Sequence, residues 1–200
     1  MQATCPTCNL KKGASLGLRK HQAEFKAHLE AAASSGVRTI LGDITPGGGK
    51  SLIPQLACNI LKSSDIVDKL CWVVPRELLQ EQGATDFQSQ KGRSLAQHNL
   101  SIFEATNDCD PTRGTDGYVT TYQAIAADSA GINAFEFERS RYLLVLDEVH
   151  HVQDGGQWHR QLAPLVERAE FLILLTGTLE RGDRKPIAFL QYKDAANACA

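Results

Sequence analysis

The chain has no apolar run approaching the roughly 20 residues that a membrane-spanning helix needs, so nothing in its 200 residues reads as a span. Its N-terminus lacks the apolar stretch of a signal peptide, which points to a cytoplasmic location. Charge of one sign is lacking too: 21 Lys and Arg stand against 23 Asp and Glu, for a formal net charge of −2. A global basic field is thereby excluded, and any contact with nucleic acid must come from a local patch. There is no disulfide framework, because Cys58, Cys71, Cys109 and Cys199 are scattered. Cys58 and Cys71 lie in apolar segments and read as reduced thiols packed as small hydrophobes. Internal repeats and low-complexity tracts are absent.

What is present is the composition of a globular protein, 42% hydrophobic, with enough chain for one domain and a sizeable core. Residues 1–17 read as a polar tail, and 18–33 as a helix with Leu18, Phe25 and Leu29 on its apolar face. Strand-like and helix-like segments then alternate. The strand candidates are 37–41, 69–74, 117–121, 142–146 and 171–175, with a weaker one at 100–105. The helix candidates are 50–62, 76–88, 121–130 and 158–168. Continuous apolar strands separated by helices predict an α/β domain, its mainly parallel sheet covered on both faces. Functional residues should then sit at the carboxyl ends of the strands. The polar stretch 86–116 carries the weakest pattern.

Residues 45–51 read Thr45-Pro46-Gly47-Gly48-Gly49-Lys50-Ser51. Glycines let the backbone turn tightly enough for successive N–H groups to point at one anion. Lys50 reaches the β- and γ-phosphates and Ser51 holds Mg²⁺ in such a loop, while the following helix puts its positive dipole end on the same phosphates. Pro54 falls near the first turn of that helix, where a missing N–H costs least. The full pattern G-x-x-x-x-G-K-S/T asks for Gly at position 44, and this chain has Ile44. That residue should perturb packing under the loop more than phosphate contact.

The second acidic half of such a site is Leu143-Leu144-Val145-Leu146-Asp147-Glu148-Val149-His150. Four apolar residues fit an interior parallel strand, and two carboxylates follow at its end. Asp147 can complete the metal site begun by Ser51, and Glu148 is placed to polarise an attacking water as general base.

With these residues the chain resembles the helicase superfamily 2 motor proteins of the DEAD/DEAH-box type, over about residues 18–192. Asp147-Glu148-Val149-His150 matches the D-E-x-H box, and Leu175-Thr176-Gly177-Thr178 resembles motif III. The resemblance implies a three-layer RecA-like P-loop NTPase domain that uses ATP and Mg²⁺. It implies that Thr176 and Thr178 couple phosphate chemistry to strand contact through His150. Leu18-Arg19-Lys20-His21-Gln22 resembles the L-R-x-x-Q signature, whose glutamine recognises adenine. A carboxamide, with a donor and an acceptor, suits that edge. Val73-Val74-Pro75-Arg76 and the helix after it resemble motif Ia, and Val119-Thr120-Thr121-Tyr122 resembles a later strand-end motif. Both would place Pro75, Arg76, Thr120 and Thr121 on a nucleic-acid backbone. Read from the residues alone, Pro75 could simply end a strand, and Thr120 and Thr121 could cap a helix.

In this family ATP lies between two RecA-like lobes, and the second carries the arginine fingers. The sequence ends at Ala200, soon after the segment that resembles motif III, and the polar stretch 193–200 reads as a C-terminal end or linker. The expectation is a first lobe alone, which binds ATP weakly, hydrolyses it slowly and needs a second lobe in cis or in trans. By resemblance the partner is nucleic acid, DNA ahead of RNA. A nucleotide-binding regulatory module without turnover is the alternative.

Other constellations are weaker. Cys5-Pro6-Thr7-Cys8 has the spacing of half a zinc site, and His21 and His28 are one residue too far apart for the usual second half. His151 and His159 read as surface or supporting residues. Trp158 reads as a partly buried packing residue, with base stacking the alternative. Arg181 is either solvated or in contact with nucleic acid or the second lobe.

Overall fold

The computed structural model describes residues 17–45, 47–105, 107, 110–178 and 188–189. Its strands are β1 Thr39–Asp43, β2 Lys69–Val74, β3 Phe103–Glu104, β4 Gly117–Thr121, β5 Tyr142–Leu146 and β6 Phe171–Thr176. They form one sheet in the order β1-β6-β5-β2-β4-β3. Every pairing is parallel. The helices are α1 Lys20–Ser35, α2 Leu52–Ser63, α3 Glu77–Gln88, α4 Gln90–Ala96, α5 Tyr122–Ala127, α6 Ile132–Arg139 and α7 Gln157–Arg168. Among the described residues, none is long and apolar enough to cross a membrane.

The core is split by the sheet into two layers, and the split follows the two-residue period of a strand. Leu70, Trp72 and Val74 of β2 face one way with Leu143 and Val145 of β5, against Phe25 and Leu29 of α1, Ile53 and Ala57 of α2 and Phe87 of α3. Cys71 and Val73 face the other way with Leu144, Leu146, Leu172 and Leu174, against Tyr122 of α5, Phe137 of α6 and Leu162 of α7. The interior strands β2, β5 and β6 are buried almost throughout, which is why they read as unbroken apolar runs. The result is the three-layer α/β architecture. Burial pushes the Cys58 and Cys71 thiols up to about 12, so both are inert packing groups at neutral pH.

Three local differences from the sequence reading have physical causes. The first strand runs over Thr39–Asp43 rather than 37–41. Gly36 closes α1 at φ +79°, and the Val37 N–H turns back to the Ala32 carbonyl, so the chain leaves the helix two residues late. Gly42 stands inside that strand, where a Cβ would meet Leu175 and Phe25. The glycine therefore lets α1 and β6 close on the strand. The helix expected at 121–130 stops at Ala127, and the Asp128 carboxylate takes the Ile132 and Asn133 N–H groups to open a separate α6. Finally, the weakly patterned stretch 86–116 holds α4, capped by the Ser89 hydroxyl on the Gly92 N–H, and the two-residue β3.

Candidate functional site

Between β1 and α2 the chain turns back over Ile44. Gly47 and Gly49 have φ of +77° and +79°, which L side chains adopt only at a cost. Gly48 has ordinary φ, but a Cβ on it would lie 2.7 Å from the Ile44 side chain. Ile44 itself is buried in the core beneath the loop. Helical bonding begins at once, with the Leu52 N–H on the Gly49 carbonyl and the Ile53 N–H on the Lys50 carbonyl. The positive end of α2 thus opens directly at the loop. Pro54 sits in the first turn, where its missing N–H leaves no helical bond unmade.

The start of α1 grips this loop from outside. Arg19 Nη1 donates to the Gly47 carbonyl at 2.8 Å, and Gln22 Nε2 donates to the Gly49 carbonyl at 3.1 Å. His21 Nε2 lies 2.7 Å from the Gly48 carbonyl, which requires the proton on that nitrogen. Gln22 also accepts the Arg19 N–H through Oε1 at 2.9 Å. Three successive loop carbonyls are therefore held by one helix terminus. Sequence reading singled out Gln22 and missed Arg19 and His21; the available signal was two further donors within three residues of it.

Facing the loop, β5 ends in Asp147 and Glu148. Its register between β2 and β6 puts the two carboxylates beside α2. Lys50 Nζ donates to Glu148 Oε1 at 2.5 Å. Glu148 Oε2 accepts the Gly177 N–H at 3.3 Å and lies 3.3 Å from His150 Nδ1. Glu148 has φ +52°, in the left-handed region that a non-glycine residue occupies at a cost. The Tyr122 hydroxyl bonds to the Asp147 carbonyl oxygen at 2.8 Å. The Asp147 carboxylate is buried, and its Oδ1 has no hydrogen-bond partner among the described residues. Burial first, and the Glu148 charge second, push the Asp147 carboxyl up to about 6, with Lys50 opposing. A buried, unpartnered carboxylate oxygen beside Lys50 and Ser51 is the donor that a hard divalent cation requires.

Lys50, Ser51, Asp147 and Glu148 line one cavity of about 300 Å³ with Gly47 and Gly49. Behind it, the buried Thr176 hydroxyl lies 2.9 Å from His150 Nδ1, donates to the Thr178 carbonyl and accepts the Thr178 N–H. An unbroken polar chain thus runs from Glu148 through His150 to the end of β6. A neighbouring cleft of about 320 Å³ holds Pro75, Arg76, Leu78, His150 and Thr178, and meets the first cavity at Glu148. Arg76 is exposed ahead of α3, and Leu78 is 73% exposed. Thr120 and Thr121 are buried, and the Thr121 hydroxyl caps α5 by accepting the Ala124 N–H. A larger cleft of about 460 Å³ between α1, α2 and α4 contains none of these groups.

Trp158 stacks on Tyr122 at 5.1 Å, as a packing residue does. His159 faces Asp154 and stacks on Phe189, and His151 packs on His150. Pro46, Cys5, Cys8 and Arg181 lie outside the described residues.

Residues 15–181 match the family described as type III restriction enzyme, res subunit. The chain belongs to that family. Two mycobacterial proteins are similar to the res-family chain at 29% identity: uncharacterized protein ML1624 of Mycobacterium leprae, over 161 residues, and uncharacterized protein Rv2917 of Mycobacterium tuberculosis, over 163. Each match covers 80% of this chain, which spans 26% and 25% of those relatives. Among solved structures, the Sulfolobus solfataricus SWI2/SNF2 ATPase core in complex with dsDNA superposes with a TM-score of 0.61 at 18% identity. That match covers 80% of this chain and 32% of the other. The UvsW helicase of bacteriophage T4 gives 0.58 at 19% identity, covering 84% and 54%. A nuclease-deletion mutant of the type ISP restriction-modification enzyme LlaGI with a DNA substrate mimic gives 0.57 at 17%, covering 86% and 18%. These likenesses show the fold: the res-family chain has the RecA-like α/β architecture of one lobe in the ATPase core, helicase and restriction enzyme that it resembles.

Proposed function

We propose that this lobe binds ATP with Mg²⁺ and, joined to a second RecA-like lobe, hydrolyses it to drive movement along nucleic acid, with DNA the preferred partner. The observation that carries the reading is the single cavity shared by Lys50, Ser51, Asp147 and Glu148, with an unpartnered carboxylate oxygen in its wall. The N–H groups of Gly47–Ser51 and the start of α2 offer a cradle for phosphates, and Lys50 offers the cation. Ser51 and Asp147 would hold Mg²⁺, which on binding screens phosphate charge. Glu148, held between Lys50 and the Gly177 N–H, orients a water for attack. His150, Thr176 and Thr178 link that carboxylate to the edge where Pro75 and Arg76 would meet a strand. Gln22 serves the base side of the nucleotide, and Thr45 the entrance of the loop. Contacts of Thr120 and Thr121 with a backbone would pass through main-chain groups, given their burial. DNA is favoured because two of the similar structures are described as complexes with dsDNA or a DNA substrate mimic.

The Lys50–Glu148 ion pair favours a second reading, a regulatory nucleotide-binding module without turnover, since it neutralises both the cation and the base. ATP hydrolysis by the full-length protein, with and without DNA, separates the two. Turnover stimulated by DNA and abolished by Glu148→Gln is expected. Turnover indifferent to Glu148→Gln rejects the motor, and nucleotide binding without turnover establishes the module.

A further inference from the structure

Opposite the phosphate loop, the cavity has a wall that neither the loop nor β5 supplies. It is made by Trp72 of β2 and by Leu79, Gln82 and Gly83 of α3. The spacing i, i+3, i+4 puts the three α3 residues on one helix face. Of that wall, Gln82 is the only polar side chain from α3; it is exposed, and no hydrogen bond ties it to another described residue.

The roll of α3 that aims Gln82 at the cavity is set twice over. On the opposite face, Gln80 is buried and donates through Nε2 to the Ala105 and Val119 carbonyls at 3.1 and 3.0 Å. Gly83 lies so close to the Trp72 ring that a Cβ there would sit 2.8 Å from it. Turning α3 to move Gln82 away would break both Gln80 bonds or drive the helix into the indole. The geometry presents one carboxamide, otherwise uncommitted, across a small cavity from Lys50, Ser51 and the unpartnered Asp147 Oδ1.

We infer that Gln82 is a positioning residue of the nucleotide site, accepting a hydrogen bond from water on a divalent cation held by Ser51 and Asp147. This rests on the ATP-site reading above. A small hard cation keeps several of its waters when bound by one or two protein ligands. Those waters need acceptors, and outer partners of this kind set metal affinity. On the α3 side Trp72 and Leu79 offer none, so the role falls to Gln82. The residue thereby leaves the nucleic-acid surface, although the segment around it resembles a strand-contacting motif.

The test is binding of a non-hydrolysable fluorescent ATP analogue to wild type, Gln82→Ala and Gln82→Glu, each titrated with Mg²⁺ and measured again in EDTA. Gln82→Ala is expected to raise the Mg²⁺ concentration for half-maximal enhancement about tenfold or more, with analogue affinity in EDTA unchanged. Gln82→Glu, which keeps an acceptor, should restore the Mg²⁺ response. The side chain is exposed, so thermal unfolding of both variants should match wild type. If Mg²⁺ enhancement in Gln82→Ala equals wild type, or if affinity falls equally in EDTA, the inference is overturned while the ATP site stands. If wild type binds no nucleotide under either condition, both fall together.

Discussion

Glu148→Gln should tighten nucleotide binding. Glu148 Oε1 holds the Lys50 ammonium at 2.5 Å, in a pair whose side chains are only 11% and 23% exposed. In the function proposed above, phosphate recruits the same ammonium, so the ion pair competes with the ligand. A glutamine oxygen still accepts from Lys50, but as a neutral group. The net bond then drops from about 1.5–3 kcal/mol to about 0.5–1.5 kcal/mol. The difference, about 1 kcal/mol, corresponds to a roughly fivefold gain in affinity. Removing a negative charge from a cavity proposed to receive phosphates acts in the same direction. Glutamine meets the same backbone cost at φ +52° as glutamate, so the substitution isolates the side chain. The assay is a titration of a non-hydrolysable ATP analogue against wild type and variant at fixed Mg²⁺. Equal or weaker binding by the variant refutes the idea that nucleotide displaces the Lys50–Glu148 pair.

Asp147 predicts a pH signature. Its folded pKa of about 6 lies above the ordinary 3.8, so the folded chain holds the proton more tightly than the unfolded one. Its contribution to stability therefore falls as pH rises across that window. The urea stability of Asp147→Asn should exceed that of wild type above it by at most about 3 kcal/mol, with the gap closing as pH falls; a pH-independent gap rejects a buried charge there. Gly49→Ala forces an L side chain to φ +79° with its Cβ 2.7 Å from Gln22 Nε2. It should cost about 1–2 kcal/mol for the backbone alone and abolish nucleotide binding, and a titration that matched wild type would refute that. Ile44→Ala should lower urea stability by about 2–4 kcal/mol yet weaken nucleotide binding less than Gly49→Ala; the opposite ranking would show that Ile44 shapes the loop itself.

Much of this was legible because burial and periodicity agree. β2, β5 and β6 are covered on both faces, so their apolar runs announce themselves. That Lys50 and Ser51 meet Asp147 and Glu148 in one cavity follows an expectation drawn from residue types and spacings that suit phosphate chemistry. Less visible was anything decided by an approach between distant segments. The need for glycine at position 42 is decided by Phe25 and Leu175, which close on β1 from distant parts of the chain. α4 has too few apolar residues to signal a helix, and its ends are fixed by Ser89 and by Gln97, which stands at φ +55°. Thr121 shows how one residue type supports two readings: the hydroxyl that resembles a phosphate contact is spent on capping α5.

The same distinction explains the reach of the α1 terminus. A glutamine after Leu18-Arg19 reads as a base-recognising residue, because a carboxamide matches an adenine edge. In the folded chain both ends of that carboxamide are engaged, Nε2 on Gly49 and Oε1 on the Arg19 N–H. One N–H and one lone pair remain to Gln22, enough for a base only if the loop keeps its present shape. Arg19 and His21 hold the two preceding carbonyls, those of Gly47 and Gly48. In the proposed function, base recognition by Gln22 and the geometry of the loop are therefore coupled through three adjacent peptide groups. The loop that carries Gly47, Gly48 and Gly49 lies between β1 and α2, but its carbonyls are held by a helix that precedes it in the chain.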